Sequence, residues 1–136
     1  MAKQQVMLES LPVGTLGILP LESSKKLGQK VNNYLVEWRN ERETEHESNV
    51  AFAGYQRDSY LIEASCPRFG TGEAKSILKT SVRGDDIYLL VDVCIYSLTY
   101  TVCGQTNHMS PDDHYQDLKR VISALGGKAR RITVIM

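Results

Sequence analysis

The sequence predicts an α/β domain of three layers, in which two helices cover the faces of a mostly parallel sheet. Residues 86–93 are an almost uninterrupted apolar run between turn residues, which is typical of a strand buried on both faces. Apolar residues recur at helical spacing both before and after that run. The resulting order of strand, helix, several strands, helix and strand is that of a layered α/β fold.

Length and composition limit the class of protein. At 136 residues, the chain fits one domain, and its equal numbers of basic and acidic residues, 16 each, give no support for a nucleic-acid surface. No run approaches the roughly 20 apolar residues of a membrane span, and the first ten residues lack the features of a signal peptide. We therefore expect a single domain over residues 1–136 of a cytoplasmic protein, without nucleic acid or membrane as partner.

The first half of the chain contains the first strand and helix. Residues 15–21 read as a strand, and Ser23 and Ser24 offer caps for the helix that follows. Gly28 weakens that helix slightly, and residues 37–48 are interpreted as its solvated end and a surface loop. The apolar residues that predict the buried face of the helix are Leu27, Val31, Tyr34, Leu35 and Trp38.

Short strands are expected next. Residues 50–54 and 59–64 are apolar with β-branched or aromatic content, and residues 73–79 favour a strand because they lie between a Gly loop and a turn. Residues 96–109 are expected to form a loop or an irregular hairpin.

The second helix begins at Ser110, a good cap that is followed by Pro111 and two acids. Gly126 and Gly127 end it, and residues 131–136 form the last strand. Since nothing follows to cover that strand, we expect the domain to be C-terminally truncated and the chain to self-associate. The residues predicted to form the buried face of this helix are Tyr115, Leu118, Val121, Ile122 and Leu125.

An exposed aromatic near an acid, Phe69 and Glu73, is the first candidate site. The Phe ring could stack on adenine while the carboxylate accepts a hydrogen bond from the exocyclic amine. The alternative is a Gly-containing hairpin whose Phe packs back on the core. Gly70-Thr71-Gly72 is too short for a Walker or Rossmann glycine motif and lacks the Lys or helix that should follow it.

Arg83, in the turn Ser-Val-Arg-Gly, is the second candidate. Its guanidinium could bind phosphate, because the fork of N–H donors matches phosphate oxygens. The alternative is a surface ion pair with Asp85 or Asp86, worth less than about 1 kcal/mol. Lys128, Arg130 and Arg131 could also meet phosphate, although such a run is commonly an exposed lead into a strand.

Metal and thiol chemistry find little support. His108, Asp112, Asp113 and His114 do not have the spacing of a helical zinc pair, and a polar first helical turn explains the acids without a metal. Three cysteines without a Cys-x-x-Cys pair indicate neither a disulfide framework nor a thiolate zinc site. The sequence contains no recognisable Ser/His/Asp triad, Walker loop or Rossmann glycine fingerprint.

The two loops and the strands between them carry a resemblance. A Phe-x-x-x-Glu loop at 69–73, Ser-Val-Arg-Gly at 81–84, the apolar strand, the helix and Arg-Ile-Thr at 131–133 follow one another in that order. In order and spacing, the chain resembles the N-terminal half of ribose-phosphate pyrophosphokinases, the phosphoribosyl pyrophosphate synthetases. The first strand and helix also fit.

The resemblance implies a type I phosphoribosyltransferase-like fold and a homo-oligomeric, magnesium-dependent enzyme. That enzyme transfers the β,γ-diphosphoryl group of ATP to the 1-hydroxyl of ribose 5-phosphate. Phe69, Thr71 and Glu73 would form the adenine-binding loop, with Thr71 standing where the family usually has Asp or Asn. Arg83 would lie near a regulatory phosphate or nucleotide site.

The resemblance also implies what this chain lacks. The family's catalytic and magnesium-binding segments come later in its sequence, so we expect no catalytic residue in this chain and no activity from it alone. Segments 39–48 and 96–109 look like insertions. A non-catalytic, synthetase-associated regulatory or binding protein is the alternative, and an unrelated α/β nucleotide-binding domain is a third possibility.

Overall fold

The fold is described by a computed structural model over residues 12–44 and 57–136, without the side chains of residues 42–44. Its elements, in chain order, are β1 (Leu16–Pro20), a 3₁₀ turn (Glu22–Ser24), α1 (Lys25–Thr44), β2 (Ala64–Ser65), β3 (Ile77–Leu78), β4 (Asp86–Leu90), β5 (Thr99–Val102), β6 (Gln105–His108), α2 (Pro111–Leu125) and β7 (Arg131–Ile135).

The predicted parallel sheet is confirmed. β4 lies between β1 and β7 and pairs with each in parallel over five residues. Ile87 and Leu89 of β4 are completely buried on one face and Leu90 is buried on the other, as expected for a central strand covered on both faces. β2 with β3 and β5 with β6 form two small antiparallel pairs outside this sheet.

Two hydrophobic cores lie on the two faces of the sheet, because side chains alternate along each strand. Leu19, Ile87 and Leu89 pack with residues of α2, whereas Ile18 and Leu90 pack with residues of α1. The predicted three layers of helix, sheet and helix are therefore confirmed.

The buried face of α1 differs from the predicted one. Val31 and Leu35 do pack on the sheet, but the side chains of Leu27, Tyr34 and Trp38 are each more than half exposed. The helix instead turns Gly28 and Asn32 inward, and a Cβ on Gly28 would lie 2.6 Å from the Pro20 ring. Asn32 Oδ1 accepts the Tyr60 N–H at 2.7 Å, so close approach and a buried hydrogen bond set the rotation of the helix.

α2 follows its prediction more closely. Ser110 caps it with a reciprocal capping box to Asp113, and Gly127 adopts the left-handed conformation just past its end. Tyr115 was predicted to be buried and is 45% exposed, because the inward face is centred on Leu118, Val121 and Leu125. Two polar residues, His114 and Asp117, occupy that face as well.

The short strands are less regular than predicted. Of residues 59–64, Leu61 bridges Ile18 in parallel and only Ala64 belongs to a strand, and of residues 73–79 only β3 is a strand. The hairpin predicted at 96–109 is present as β5 and β6, whereas residues 50–54 lie outside the described part. Within that part, no helix has the length and apolar character needed to cross a membrane.

Candidate functional site

The loop at residues 69–73 is a tight turn on a two-stranded stem. Arg68 and Ala74 form an antiparallel bridge, and the Phe69 N–H donates to the Glu73 carbonyl at 2.6 Å. The turn closes with the Gly72 N–H donating to the Phe69 carbonyl at 2.9 Å, and Gly72 has φ +86°, which glycine adopts without a Cβ penalty. Thr71 is exposed at its tip.

Pairing across this turn places Phe69 and Glu73 on one face, because residues directly opposite in an antiparallel pair project to the same side. Phe69 is 46% exposed, so it does not pack back into the core, and Glu73 is exposed too. Lys75 Nζ lies 5.9 Å from the Phe69 ring centroid. The loop therefore presents an aromatic face, a carboxylate and a nearby cation to solvent.

Arg68 projects to the other side of the same turn and anchors it to α2. Its guanidinium forms a two-pronged ion pair with Asp117, through Nη1 to Oδ1 at 2.8 Å and Nη2 to Oδ2 at 3.0 Å. Arg68 is 8% exposed in its side chain and Asp117 12% exposed. Arg120 Nη1 donates to the same Asp117 oxygen at 2.8 Å, so Arg68, Asp117 and Arg120 form a partly buried cluster.

The β5–β6 hairpin contacts this anchor. The Tyr100 ring centroid lies 4.8 Å from the Arg68 guanidinium carbon, within cation–π range. At the tip of the hairpin, Cys103 Sγ donates to the Gly70 carbonyl at 3.3 Å. Cys103 and Gly104 both have positive φ, at 50° and 78°, as a two-residue turn of type I′ requires.

The turn that carries Arg83 immediately precedes β4 and lies at the amino ends of the parallel strands. Gly84 has φ +79°, and its N–H donates to the Lys128 carbonyl at 3.0 Å, so the turn abuts the segment that leads into β7. Arg83 is exposed, and none of the ion pairs found between described residues includes it. The alternative ion pair of Arg83 with Asp85 or Asp86 is therefore absent from this part of the chain.

Asp86 pairs instead with Arg131, the first residue of β7. Arg131 Nε donates to Asp86 Oδ1 at 2.8 Å, and Arg131 Nη2 donates to Asp86 Oδ2. The hydrogen bond that the Asp86 carboxylate accepts raises the pKa of Arg131 above its ordinary value. Arg131, one of the three basic residues considered for phosphate, is therefore paired with Asp86 across the sheet.

A small cleft of about 40 Å³ lies beside the buried Asp117, near the carboxyl end of β1. Cys66 and His114 line it, and burial, followed by the negative charge of Asp117, raises the pKa of the Cys66 thiol. The His114 Nε2 atom lies 2.7 Å from the Ile95 carbonyl. The raised pKa keeps the Cys66 thiol protonated, and the His114 imidazole is engaged with a backbone carbonyl. These two residues therefore favour a structural cleft over a catalytic site in which a base activates a nucleophile.

Of the four polar residues considered for a metal, His108, Asp113 and His114 have other partners. Asp113 accepts the Ser110 N–H at 2.9 Å as part of the helix cap, and His108 stacks on Tyr96 with ring centroids 4.7 Å apart. No three His, Cys, Asp or Glu residues of the described ranges are grouped so that they could hold a metal ion.

Sequence reasoning predicted Phe69, Thr71, Glu73 and Arg83 as site residues. The first three lie in one tight turn, whereas Arg83 lies in a separate turn before β4. Sequence reasoning missed the anchor, Arg68 with Asp117. A signal was present, because Asp117 lies on the apolar face of a helix, where an unpaired charge would be costly.

Comparison with known families identifies the family of the chain. The family model described as the N-terminal domain of ribose phosphate pyrophosphokinase matches residues 16–136, which is nearly the whole chain. No curated protein matches the chain at a significant level.

Proposed function

Because the chain belongs to the ribose phosphate pyrophosphokinase family, as an N-terminal domain of it, we propose that it supplies the nucleotide side of a ribose-phosphate diphosphokinase. The proposed reaction makes phosphoribosyl pyrophosphate from ATP and ribose 5-phosphate. It is a transfer that depends on positioning and charge stabilisation more than on covalent chemistry by the protein. Residues 69–73 would hold the adenine base.

The observation that supports this role is the shared face of Phe69 and Glu73. An exposed ring fixed at the base of a tight turn can stack on a purine, which is worth about 1–3 kcal/mol per base. The Glu73 carboxylate can accept from the 6-amino group, and the Thr71 hydroxyl lies at the tip of the same turn. The three residues are close enough in the chain to contact one base.

Magnesium would enter with the nucleotide. The described residues do not fit a metal cage, because no three of their acidic, imidazole or thiol groups converge. Magnesium commonly keeps several waters and binds through substrate phosphates with one or two carboxylates. As the resemblance implies, we propose that this chain supplies no magnesium ligand and no catalytic group, and that the 136 residues alone do not synthesise phosphoribosyl pyrophosphate.

Arg83 is proposed as part of a separate site for phosphate or a nucleotide phosphate. Its support is an exposed guanidinium without an ion pair among the described residues, next to the backbone of Lys128. Replacement of Arg83 by Ala should abolish any response of activity to inorganic phosphate while leaving the KM for ATP unchanged. An unaltered phosphate response would refute the assignment.

Self-association is proposed from the outer edge of the sheet. β7 pairs only with β4 in the described part of the chain, and Ile135 and Met136 are 50% and 67% exposed. Such an edge with apolar side chains is a surface that proteins cover. Sedimentation velocity of the purified protein checks this proposal, which a monomer at all concentrations would contradict.

Phe69→Ala in the protein expressed from its complete gene tests the adenine assignment. Loss of stacking should raise the KM for ATP about tenfold, within the range expected for one stacked base, with the KM for ribose 5-phosphate unchanged. Tyr115→Ala is the matched control, since Tyr115 is also aromatic and equally exposed but lies on α2. It should change neither KM.

Equal effects of the two substitutions would overturn the adenine assignment. A wild-type protein that makes no phosphoribosyl pyrophosphate, yet binds an active synthetase, would favour the alternative of a regulatory partner.

Glu73→Gln should weaken discrimination between ATP and GTP, because the carboxylate is proposed to read the 6-amino group.

A further inference from the structure

We propose that Arg68 is a positioning residue for the nucleotide-binding loop, held by Asp117 of α2 and covered by Tyr100 of the β5–β6 hairpin. The inference rests on the proposed function of residues 69–73. The hairpin itself would not touch ATP. Through its contacts with Arg68 and the loop, it sets the orientation of the residues that would contact adenine.

Alternation along the stem links the buried anchor to the exposed site. Arg68 immediately precedes Phe69, so their side chains leave the stem on opposite faces. The backbone is closed on both sides of the turn, through the Arg68–Ala74 bridge and the bond from the Phe69 N–H to the Glu73 carbonyl. Rotation of the Arg68 side of this stem would therefore move Phe69 and Glu73 together.

The geometry at Arg68 suits an anchor that must not rotate. Its two parallel bonds to Asp117 use both oxygens of the carboxylate, which fixes the plane of the guanidinium as well as its position. Asp117 lies on the buried face of a 15-residue helix and so offers a rigid support. An ammonium group at position 68 would keep the charge but lose the planar fork.

The hairpin provides two independent contacts to the loop. Tyr100 covers the Arg68 guanidinium at 4.8 Å, and Cys103 at the hairpin turn reaches the Gly70 carbonyl at 3.3 Å. One contact lies at the stem and the other near the tip, so the hairpin spans the loop. Segment 96–109, which looked like an insertion in the sequence, thereby acquires a specific role.

Arg68→Lys in the protein expressed from its complete gene tests the proposal. We expect the KM for ATP to rise about tenfold, because small misplacements of contact groups have large effects. The KM for ribose 5-phosphate should stay within about twofold, and preference for ATP over GTP should fall. Arg120→Lys is the matched control, since Arg120 pairs with the same Asp117 oxygen but does not belong to the loop.

Tyr100→Leu is the second variant, because it leaves the ion pair in place and does not depend on Arg68→Lys folding. It should raise the KM for ATP about threefold, as expected for loss of a cation–π contact. The effect should disappear in an Arg68→Lys background if both residues act through the same guanidinium.

Two outcomes would overturn the positioning role. One is an unchanged KM for ATP in both Arg68→Lys and Tyr100→Leu while Phe69→Ala still raises it. The other is an equal rise in Arg68→Lys and Arg120→Lys, which would mean that neutralising Asp117 is all that matters. An inert Phe69→Ala, by contrast, would refute the proposed adenine site itself.

Discussion

The loop at residues 69–73 and the turn at residues 81–84 present functional side chains by different means. The loop is secured from below by buried side chains, with Arg68 paired to Asp117 and covered by Tyr100. The turn is secured by its backbone, through the left-handed Gly84 and the bond from its N–H to the Lys128 carbonyl. Phe69 is thus held by a network, whereas Arg83 extends freely from a turn.

The difference fits what each side chain would bind. A base must be met face-on by a ring, so the orientation of the ring matters, and a buried anchor fixes it. A phosphate can be met by a guanidinium from several directions, and a mobile side chain that adjusts to it is sufficient. Because the anchor is a buried ion pair and Arg83 is exposed, disrupting the anchor should reduce the stability of the fold more than removing the Arg83 side chain.

The largest effect is expected for Asp117→Ala. The substitution would leave Arg68 buried without its carboxylate, and breaking a buried pair in this way costs about 3–5 kcal/mol. Urea unfolding of the purified protein measures the change. Arg83→Ala is the control from the turn, and its free energy of unfolding should stay within about 0.5 kcal/mol of the wild type.

If Asp117→Ala lowered the free energy of unfolding by less than about 1 kcal/mol, the proposed difference between the loop and the turn would be wrong. So small a loss would mean that Arg68 finds water or another partner at little cost, as surface ion pairs do. The loop and the turn would then both be held by backbone alone.

Gly84→Ala should have an intermediate effect. The space around a Cβ at this position is open, so the cost comes only from φ +79°, about 1–2 kcal/mol for a residue with a side chain. Gly70→Ala is the matched control in the other region, because its surroundings are equally open and its φ is not positive. The same unfolding assay should show no loss for Gly70→Ala, and equal losses would refute the role of φ.

The sequence was sufficient for the parts of this comparison that are local. Periodicity and turn residues predicted β4, α2 and the parallel sheet, and a short motif indicated Phe69 and Glu73 as candidate site residues. The partner of each polar anchor could not be predicted, because Asp117 meets Arg68 across 49 residues and Asn32 meets Tyr60 across 28. The hydrogen bond between Asn32 and Tyr60 also helps to set the rotation of α1, so that Tyr34 and Trp38, which were expected to be buried, face outward.

The smallest expected effect concerns the cap of α2, one turn before Asp117. Burial alone would raise the pKa of Asp113, but hydrogen bonds from the Ser110 N–H and hydroxyl outweigh it and hold the pKa below its ordinary value. A carboxyl whose pKa is lowered by folding stabilises the fold above its unfolded pKa, about 3.9. That contribution is lost as the pH falls through the folded pKa.

Asp113→Ala should therefore be less stable than the wild type at pH 7, by less than about 1 kcal/mol because the carboxyl is partly solvated. The gap should close as the pH falls below about 4, because the wild-type carboxyl itself becomes protonated. Asp112→Ala is the matched control, since Asp112 shares the first turn but does not take part in the capping box. A gap for Asp113→Ala that persists unchanged at pH 2, measured by urea unfolding across the pH series, would show that the charge of Asp113 does not stabilise the helix supporting the Arg68 anchor.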